Sequence, residues 1–155
     1  MFKGLKPERK ALSLIEVMVG IAILTFALTA ILASYANMFI LADLARNKTI
    51  AVNALRAKIE EVKEENFDNL DLLNATTFDL SGFAVADAKG RIEVSDVAGY
   101  SDLKEIRVVA CFKSRDRVIG EDTNLNGVLD IASGEDVNNN AVLDSPAELV
   151  ILISR

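Results

Sequence analysis

The pattern of apolar and polar positions divides the chain into a long helical first part and a strand-rich second part. No charged residue occurs in residues 17–42, and this run has no polar face. Beyond it, side chains at steps of three and four form the stripe of an amphipathic helix with one polar member, Thr49. The stripe consists of Leu41, Ala45, Thr49, Val52, Leu55, Ile59 and Val62. We predict one helix of about 50 residues, roughly 75 Å long, whose second half packs against a folded domain.

Short alternating runs after residue 66 predict β-strands. One run contains Ile92 and Val94, and a longer one covers residues 106–112 with an apolar face that includes Ile106 and Phe112. A turn at residues 114–117 leads into a short strand, and the apolar run 149–153 fits a strand covered on both faces. The fold class is α+β: a long N-terminal helix packed on a small antiparallel β-sheet, with acidic loops before the last strand.

The composition excludes several classes of protein. A chain of 155 residues has room for one domain plus an attachment, and 51% hydrophobic residues are too many for a disordered chain. With no histidine and one cysteine, there is no histidine base, no zinc knuckle and no internal disulfide. The chain has no surplus of basic residues with which to bind nucleic acid. It also has no arrangement of a nucleophile and a base that would indicate an enzyme. Cys111 is expected to act as a small buried hydrophobe.

Charge is segregated along the chain. Residues 1–11 carry a net charge of +3 and the remainder carries −9. The uncharged run 17–36 is long enough to cross a hydrocarbon core of about 30 Å, and the basic start would keep the N-terminus in the cytoplasm. A buried core helix would have a polar face. A secretory signal peptide would end in a small-x-small site before a polar mature protein, whereas here the helical pattern continues.

A single carboxylate, Glu16, lies inside the apolar block. A charge in the bilayer costs a few kcal/mol or more, so such residues are usually paired and functional. The alternative is that Glu16 marks the interfacial edge of the span. Its context favours the first interpretation, because residues 10–17, KALSLIEV, combine a basic leader, a small residue, an apolar residue and a glutamate.

The stretch LSLIEVMVGIAIL, residues 12–24, resembles the N-terminal signature of the type IV pilin and pseudopilin family. The resemblance covers residues 1 to about 65 of the chain. It implies cleavage after Ala11 by a prepilin peptidase, N-methylation of Leu12, and Glu16 as the fifth mature residue. Two departures are Ala11, where the family most often has glycine, and Leu12, where it most often has phenylalanine; both keep size and polarity.

Filament assembly follows from the pairing that cleavage permits. Cleavage would create a cationic amine on Leu12, and neither this amine nor the Glu16 carboxylate is stable alone in hydrocarbon. Since both lie on one helix, the amine of an axially shifted neighbour is the better partner for Glu16. Such a head-to-tail contact does not close on itself and therefore generates a staggered filament.

We therefore predict four segments. They are a leader (1–11), the transmembrane half of the helix (12–42), its amphipathic half (43–66) and a periplasmic or extracellular β-domain (67–155) that includes an acidic loop region, 121–148. The expected function is that of a minor pilin or pseudopilin of a type IV pilus or type II secretion system. Its partners would be other pilin subunits, the prepilin peptidase and the inner membrane. The alternative is a single-span membrane protein that displays a calcium-dependent recognition module and never polymerises.

An acidic segment is duplicated in the second part of the chain. Residues 121–130 (the first repeat) recur as residues 135–144 (the second repeat) with seven of ten positions identical. Oxygen-bearing residues fall at loop positions 1, 3, 5 and 9, the alternate spacing of EF-hand-type calcium loops, with a backbone carbonyl at position 7. The predicted ligands are Asp122, Asn124, Asn126, Val128, Asp130, Asp136, Asn138, Asn140, Val142 and Asp144.

The repeats depart from an EF-hand in ways that leave a solvated turn segment as the alternative. Position 12 lacks its glutamate, although Glu135 and Glu148 lie one or two residues beyond it and could reach in. Position 6 is Gly127 in the first repeat but Ala141 in the second, so the second site is expected to be weaker or distorted. No helical pattern flanks the repeats, which makes them similar to the calcium loops of dockerins, thrombospondin-type repeats and some pseudopilins. Calcium would have a structural role.

Overall fold

A computed structural model describes residues 13–155, which form two compact units, residues 13–41 and 42–155. Helix α1 (Leu14–Lys63) has 50 residues, so the predicted helix is confirmed. Within residues 13–155, it is the one helix long and apolar enough to cross a membrane. Its apolar side chains in the first unit are exposed, for example Phe26 at 78%, which is not the burial expected of a core helix.

The second half of α1 buries one face against the sheet. Its buried residues are Ala51, Ala54, Leu55, Ile59 and Val62. The predicted stripe is therefore correct from Val52 onward and wrong before it, because Leu41, Ala45 and Thr49 are exposed. Leu44 and Asn47 continue the packed face instead, and Asn47 donates its side-chain amide to the Ser114 hydroxyl at 3.2 Å.

Five antiparallel strands form one sheet. They are β1 (Thr77–Asp79), β2 (Ala88–Asp96), β3 (Leu103–Ser114), β4 (Arg117–Ile119) and β5 (Ala147–Ser154). β1 pairs with β2, and β2 pairs with β3. On its other edge, β3 pairs first with β5 and then with β4, so it is the central strand. The α+β prediction is confirmed. β2 and β3 contain the two alternating runs, β4 follows the predicted turn, and β5 contains the apolar run 149–153.

The two faces of β3 belong to different apolar clusters. Ile106 and Phe112 are fully buried in the main core, together with α1. On the opposite face, Val109 and Cys111 are fully buried beneath Leu143. Leu125 and Leu129 of the first repeat pack against this smaller cluster. The repeats therefore have an apolar attachment to the sheet.

The terminal strand β5 is covered on one face only in this chain. Its burial alternates, with Leu149, Ile151 and Ile153 turned toward the core and Val150 and Leu152 exposed at 48% and 58%. The prediction of a strand covered on both faces is therefore wrong. The acidic repeats cover the outer face of the sheet over Val109 and Cys111 but not over these two side chains.

A short 3₁₀ helix replaces the loop expected after α1. It spans Phe67–Leu73 and begins where the Asn66 side chain accepts a hydrogen bond from the Asp68 N–H at 3.1 Å. Leu70 is buried in the core. The three-residue β1 that follows was not predicted from the sequence, since it is too short to show alternation.

The alternation in burial predicts a sharp difference between two neighbouring apolar positions. Ile106→Ala removes a fully buried side chain and lowers the free energy of unfolding by about 2–5 kcal/mol. Leu152→Ala, on the exposed face of β5, changes it by about 0.5 kcal/mol or less. Urea unfolding of the full chain in detergent, followed by circular dichroism, measures both. Equal losses would contradict the assignment of the faces.

Candidate functional site

The start of α1 is fixed by a serine and a glutamate three residues apart. The Ser13 hydroxyl accepts a hydrogen bond from the Glu16 N–H at 3.2 Å, which satisfies one of the free donors at a helix start. Ser13 and Glu16 have the spacing of a capping box. The Glu16 carboxylate lies in the first turn, where the positive end of the helix dipole favours it. The predicted cleavage and methylation positions, Ala11 and Leu12, lie outside the described residues.

The first repeat folds around the buried side chain of Asp122. One carboxylate oxygen accepts from the Asn126 N–H at 3.1 Å and the other from the Gly127 N–H at 2.6 Å. Asp122 is fully buried, and this desolvation raises the pKa of its carboxyl despite those bonds. Gly127 adopts φ +82°, a left-handed conformation that glycine reaches at no steric cost.

The second repeat reproduces this geometry. The Asp136 carboxylate accepts from the N–H groups of Asn140 at 3.1 Å and Ala141 at 2.9 Å. Ala141 adopts φ +59°, so alanine takes the left-handed conformation in place of glycine. The left-handed conformation costs a residue with a Cβ about 1–2 kcal/mol, and the expectation of a weaker or distorted second site stays a prediction.

In each repeat, two asparagine amides converge on the aspartate at position 9. The amide groups of Asn124 and Asn126 both donate to one Asp130 oxygen, at 2.9 and 3.0 Å. The second repeat repeats the arrangement at 2.6 and 2.8 Å, where Asn138 and Asn140 donate to Asp144. These hydrogen bonds from Asn138 and Asn140 hold the pKa of Asp144 below its ordinary value. The sequence-predicted side chains at positions 3, 5 and 9 thus meet in both repeats.

Glu135 does reach the first repeat, but it contacts backbone N–H groups there. Its carboxylate accepts from the N–H groups of Thr123 and Asp130, both at 2.9 Å, and from Asn124 at 3.3 Å. Although burial works to raise the pKa of this 2% exposed side chain, these bonds and the Thr123 hydroxyl outweigh it and lower the pKa. Glu121, which sequence reasoning missed, makes equivalent bonds in the second repeat; its identical position in the duplication was the available signal.

An arginine of the sheet neutralises part of the acidic region. The Nη2 of Arg107, on β3, lies 2.9 Å from Asp144 and 2.6 Å from Glu148, and its Nη1 lies 2.8 Å from Glu93. Glu148 therefore pairs with Arg107 rather than joining Asp136 and Asn138, as the sequence had suggested it could. This base comes from outside the acidic segment, so the acids are not as unbalanced as the sequence alone indicated.

The arrangement supplies oxygen donors at calcium-loop spacing without gathering three carboxylates at one point. Within residues 13–155, no group of three or more histidine, cysteine or acidic side chains is placed to hold a metal. At present the asparagine amides turn their nitrogens toward each position 9 aspartate, and their oxygens accept from backbone N–H groups of the same loop. The predicted donor set for an ion consists of these amide oxygens, two carboxylates and the position 7 carbonyl in each repeat. This neutral-rich donor set suits a hard cation such as calcium better than a transition metal.

Comparison with known families identifies the first part of the chain. Residues 7–32 match the family described as "Prokaryotic N-terminal methylation motif". This is the prepilin signature of type IV pilins and pseudopilins, so the resemblance drawn from residues 12–24 is confirmed. The motif supports a pilin- or pseudopilin-like precursor, with processing by prepilin peptidase and assembly with other pilin subunits. No curated protein and no solved structure matches the chain.

Cys111 is expected to be unreactive in the folded chain. Its thiol is fully buried, and desolvation raises its pKa from 9.0 to about 11. Because the neutral thiol is favoured, the thiolate fraction at pH 8 is about a hundredfold smaller than for an ordinary cysteine. Iodoacetamide should therefore label the native chain at least that much more slowly than the chain in urea, as followed by mass spectrometry. Fast, complete labelling of the native chain would contradict the burial.

Proposed function

We propose that the chain is a minor pilin or pseudopilin, a structural subunit of a type IV pilus or a type II secretion pseudopilus rather than an enzyme. The observation that carries the proposal is the match of residues 7–32 to the N-terminal methylation motif. It is supported by helix α1, which continues this motif without interruption to Lys63. After leader removal between Ala11 and Leu12 and methylation of Leu12, the subunit leaves the bilayer for a filament.

The exposed apolar surface of residues 14–41 supports a single-pass location in the inner membrane before assembly. Its large side chains lie open along the whole helix in this unit, where the described chain offers no other surface to cover them. Lipid covers them in the precursor, and the helices of neighbouring subunits cover them in the filament. The basic leader places the N-terminus in the cytoplasm and the β-domain in the periplasm or outside the cell.

Glu16 is the residue that distinguishes a lipid-embedded precursor from an assembled subunit. Within residues 13–155, no N–H or hydroxyl group donates to its carboxylate. A carboxylate in hydrocarbon without donors is strongly unfavourable, whereas the methylated amine of a neighbouring Leu12 would satisfy it. The free energy of pairing therefore favours the filament over the isolated subunit.

Glu16→Gln should insert normally into the membrane but fail to enter the filament. The variant keeps the size of the side chain and removes the charge that pairs with the neighbour's amine. We expect at least about a tenfold loss from the sheared filament fraction, equivalent to an interaction of about 1.4 kcal/mol. Immunoblots of membrane and filament fractions measure it, with Glu65→Gln, two residues beyond the C-terminal end of the same helix, as a charge-matched control.

The outcome also separates the two candidate functions. The alternative is a non-polymerising single-span protein that displays a calcium-dependent recognition module, and it would leave the chain intact from Met1 and indifferent to Glu16→Gln. Loss of residues 1–11 and a methylated Leu12, seen by mass spectrometry of the membrane-extracted protein, fit the filament subunit alone. Co-purification with other pilin subunits would then distinguish pilus from secretion system.

We also propose that the repeats bind calcium in a structural role. Support comes from their duplication in register and from the left-handed residues that both copies have at positions 4 and 6. Asp122, Asn124, Asn126, Asp130 and the Val128 carbonyl would hold one ion, and Asp136, Asn138, Asn140, Asp144 and the Val142 carbonyl a second. When bound, the ion supplies positive charge to carboxylates that otherwise rely on N–H groups. The repeats, residues 121–144, lie just before β5, so their order helps to hold that strand.

Chelation should lower the thermal stability of the full chain in detergent. An ion present at about 100 times its dissociation constant stabilises the folded state by about 2.7 kcal/mol, so EDTA should lower Tm by several degrees. Differential scanning calorimetry measures the shift, and re-added calcium should reverse it where magnesium does not.

Paired variants test where the ion binds. Asp130→Asn should reduce the calcium effect, because it removes the charge on which Asn124 and Asn126 converge. Asp116→Asn, in the β3–β4 turn outside both repeats, should leave the effect unchanged. A calcium-independent Tm in the unmodified chain would remove the metal from the proposal without touching the filament role.

A further inference from the structure

The glutamate at the first residue of each acidic repeat, Glu121 or Glu135, forms its side-chain hydrogen bonds with the other repeat. Glu135, of the second repeat, accepts from the N–H groups of Thr123 and Asp130 in the first. Glu121, of the first repeat, accepts from the N–H groups of Val137 and Asp144 in the second, at 3.2 and 3.1 Å. In both cases Oε1 contacts loop position 2 and Oε2 contacts loop position 9, so the two repeats are related by an approximate two-fold exchange.

Backbone hydrogen bonds follow the same exchange. The Glu121 N–H donates to the Asp144 carbonyl at 2.9 Å, and the Glu135 N–H donates to the Asp130 carbonyl at 3.5 Å. Each glutamate therefore both donates to and accepts from the aspartate at position 9 of the opposite loop. These aspartates are also the residues on which the asparagine amides converge. The exchange thus fixes the backbone at the centre of each loop.

We propose that Glu121 and Glu135 are positioning residues, each holding the loop of the other repeat, so that residues 121–144 form one cooperative unit and neither loop is ordered alone. This goes beyond the proposed function, since the exchanged bonds involve no cation. Loss of either carboxylate frees N–H groups in the opposite loop directly. The effect also returns to the repeat in which the carboxylate was lost. Once the opposite loop is disordered, the glutamate of that loop no longer holds the first one in place.

Burial makes the coupling asymmetric in strength. Glu135 is 2% exposed and receives three backbone N–H groups and the Thr123 hydroxyl, whereas Glu121 is partly exposed and receives two N–H groups. The second repeat has another attachment, through the pair of Asp144 with Arg107. We therefore expect removal of the Glu135 charge to disorder both repeats more than removal of the Glu121 charge.

Amide hydrogen exchange of the full chain in detergent tests the proposal. Glu135→Gln places an amide donor against N–H donors, and it should speed exchange about tenfold or more at Thr123 and Asp130. Coupling requires a comparable increase at Val137 and Asp144 in the second repeat. Glu121→Gln should speed exchange directly at Val137 and Asp144 and, through the coupling, at Thr123 and Asp130. Glu105→Gln, on β3 outside both repeats, serves as the matched control.

The outcomes discriminate among three arrangements. Faster exchange in both repeats with either variant supports the cooperative unit. A change confined to the contacted repeat would overturn the cooperativity, and a change confined to the mutated residue's own repeat would overturn the exchange itself. Amides of β2 and β3 report global unfolding; if they also lose protection, the milder Glu121→Asp and Glu135→Asp variants repeat the test. Measurement in both EDTA and calcium keeps the result separate from the metal proposal, because the exchanged bonds should persist in EDTA.

Discussion

An apolar helix cannot remain in water, and the chain is organised around that constraint. Burying one large aliphatic or aromatic side chain contributes about 1.5–3 kcal/mol, and residues 14–41 expose many such side chains along α1. The second half of the same helix satisfies the constraint within the chain by packing Leu55, Ile59 and Val62 on the sheet. The first half satisfies it outside the chain, in lipid or against other helices. A single helix therefore serves both as anchor and as core element.

Much of the fold could be predicted because its signals are local. A helix of 50 residues has a period that no loop interrupts, and the β3 alternation puts Ile106 and Phe112 on one face. The duplication of residues 121–130 was visible as identity. Because the two repeats have the same spacing of polar residues, the side chains at positions 3, 5 and 9 could be expected to converge in both.

The parts that sequence reasoning missed depend on contacts distant in the chain. The packed face of α1 before Val52 contains Asn47, whose hydrogen-bond partner Ser114 lies 67 residues away. A stripe drawn through apolar positions therefore passed over Asn47 and included exposed residues of the helix instead. Arg107 neutralises Asp144 across 37 residues. β5 was expected to be covered on both faces because composition records how apolar a strand is, not whether another layer lies above it. The local sequence pattern determines the periodicity of a helix or strand, whereas the topology of the whole chain determines which residues that element contacts.

A carboxylate that is removed from water needs hydrogen-bond donors, and this requirement applies both to the acidic repeats and to Glu16 at the start of α1. In the acidic repeats the chain supplies them itself, through backbone N–H groups for Glu135 and through asparagine amides and Arg107 for Asp144. At Glu16 the described chain supplies the helix dipole and no direct donor. In the filament proposed above, the freed amine of a neighbouring helix would supply the donor that residues 13–155 do not provide.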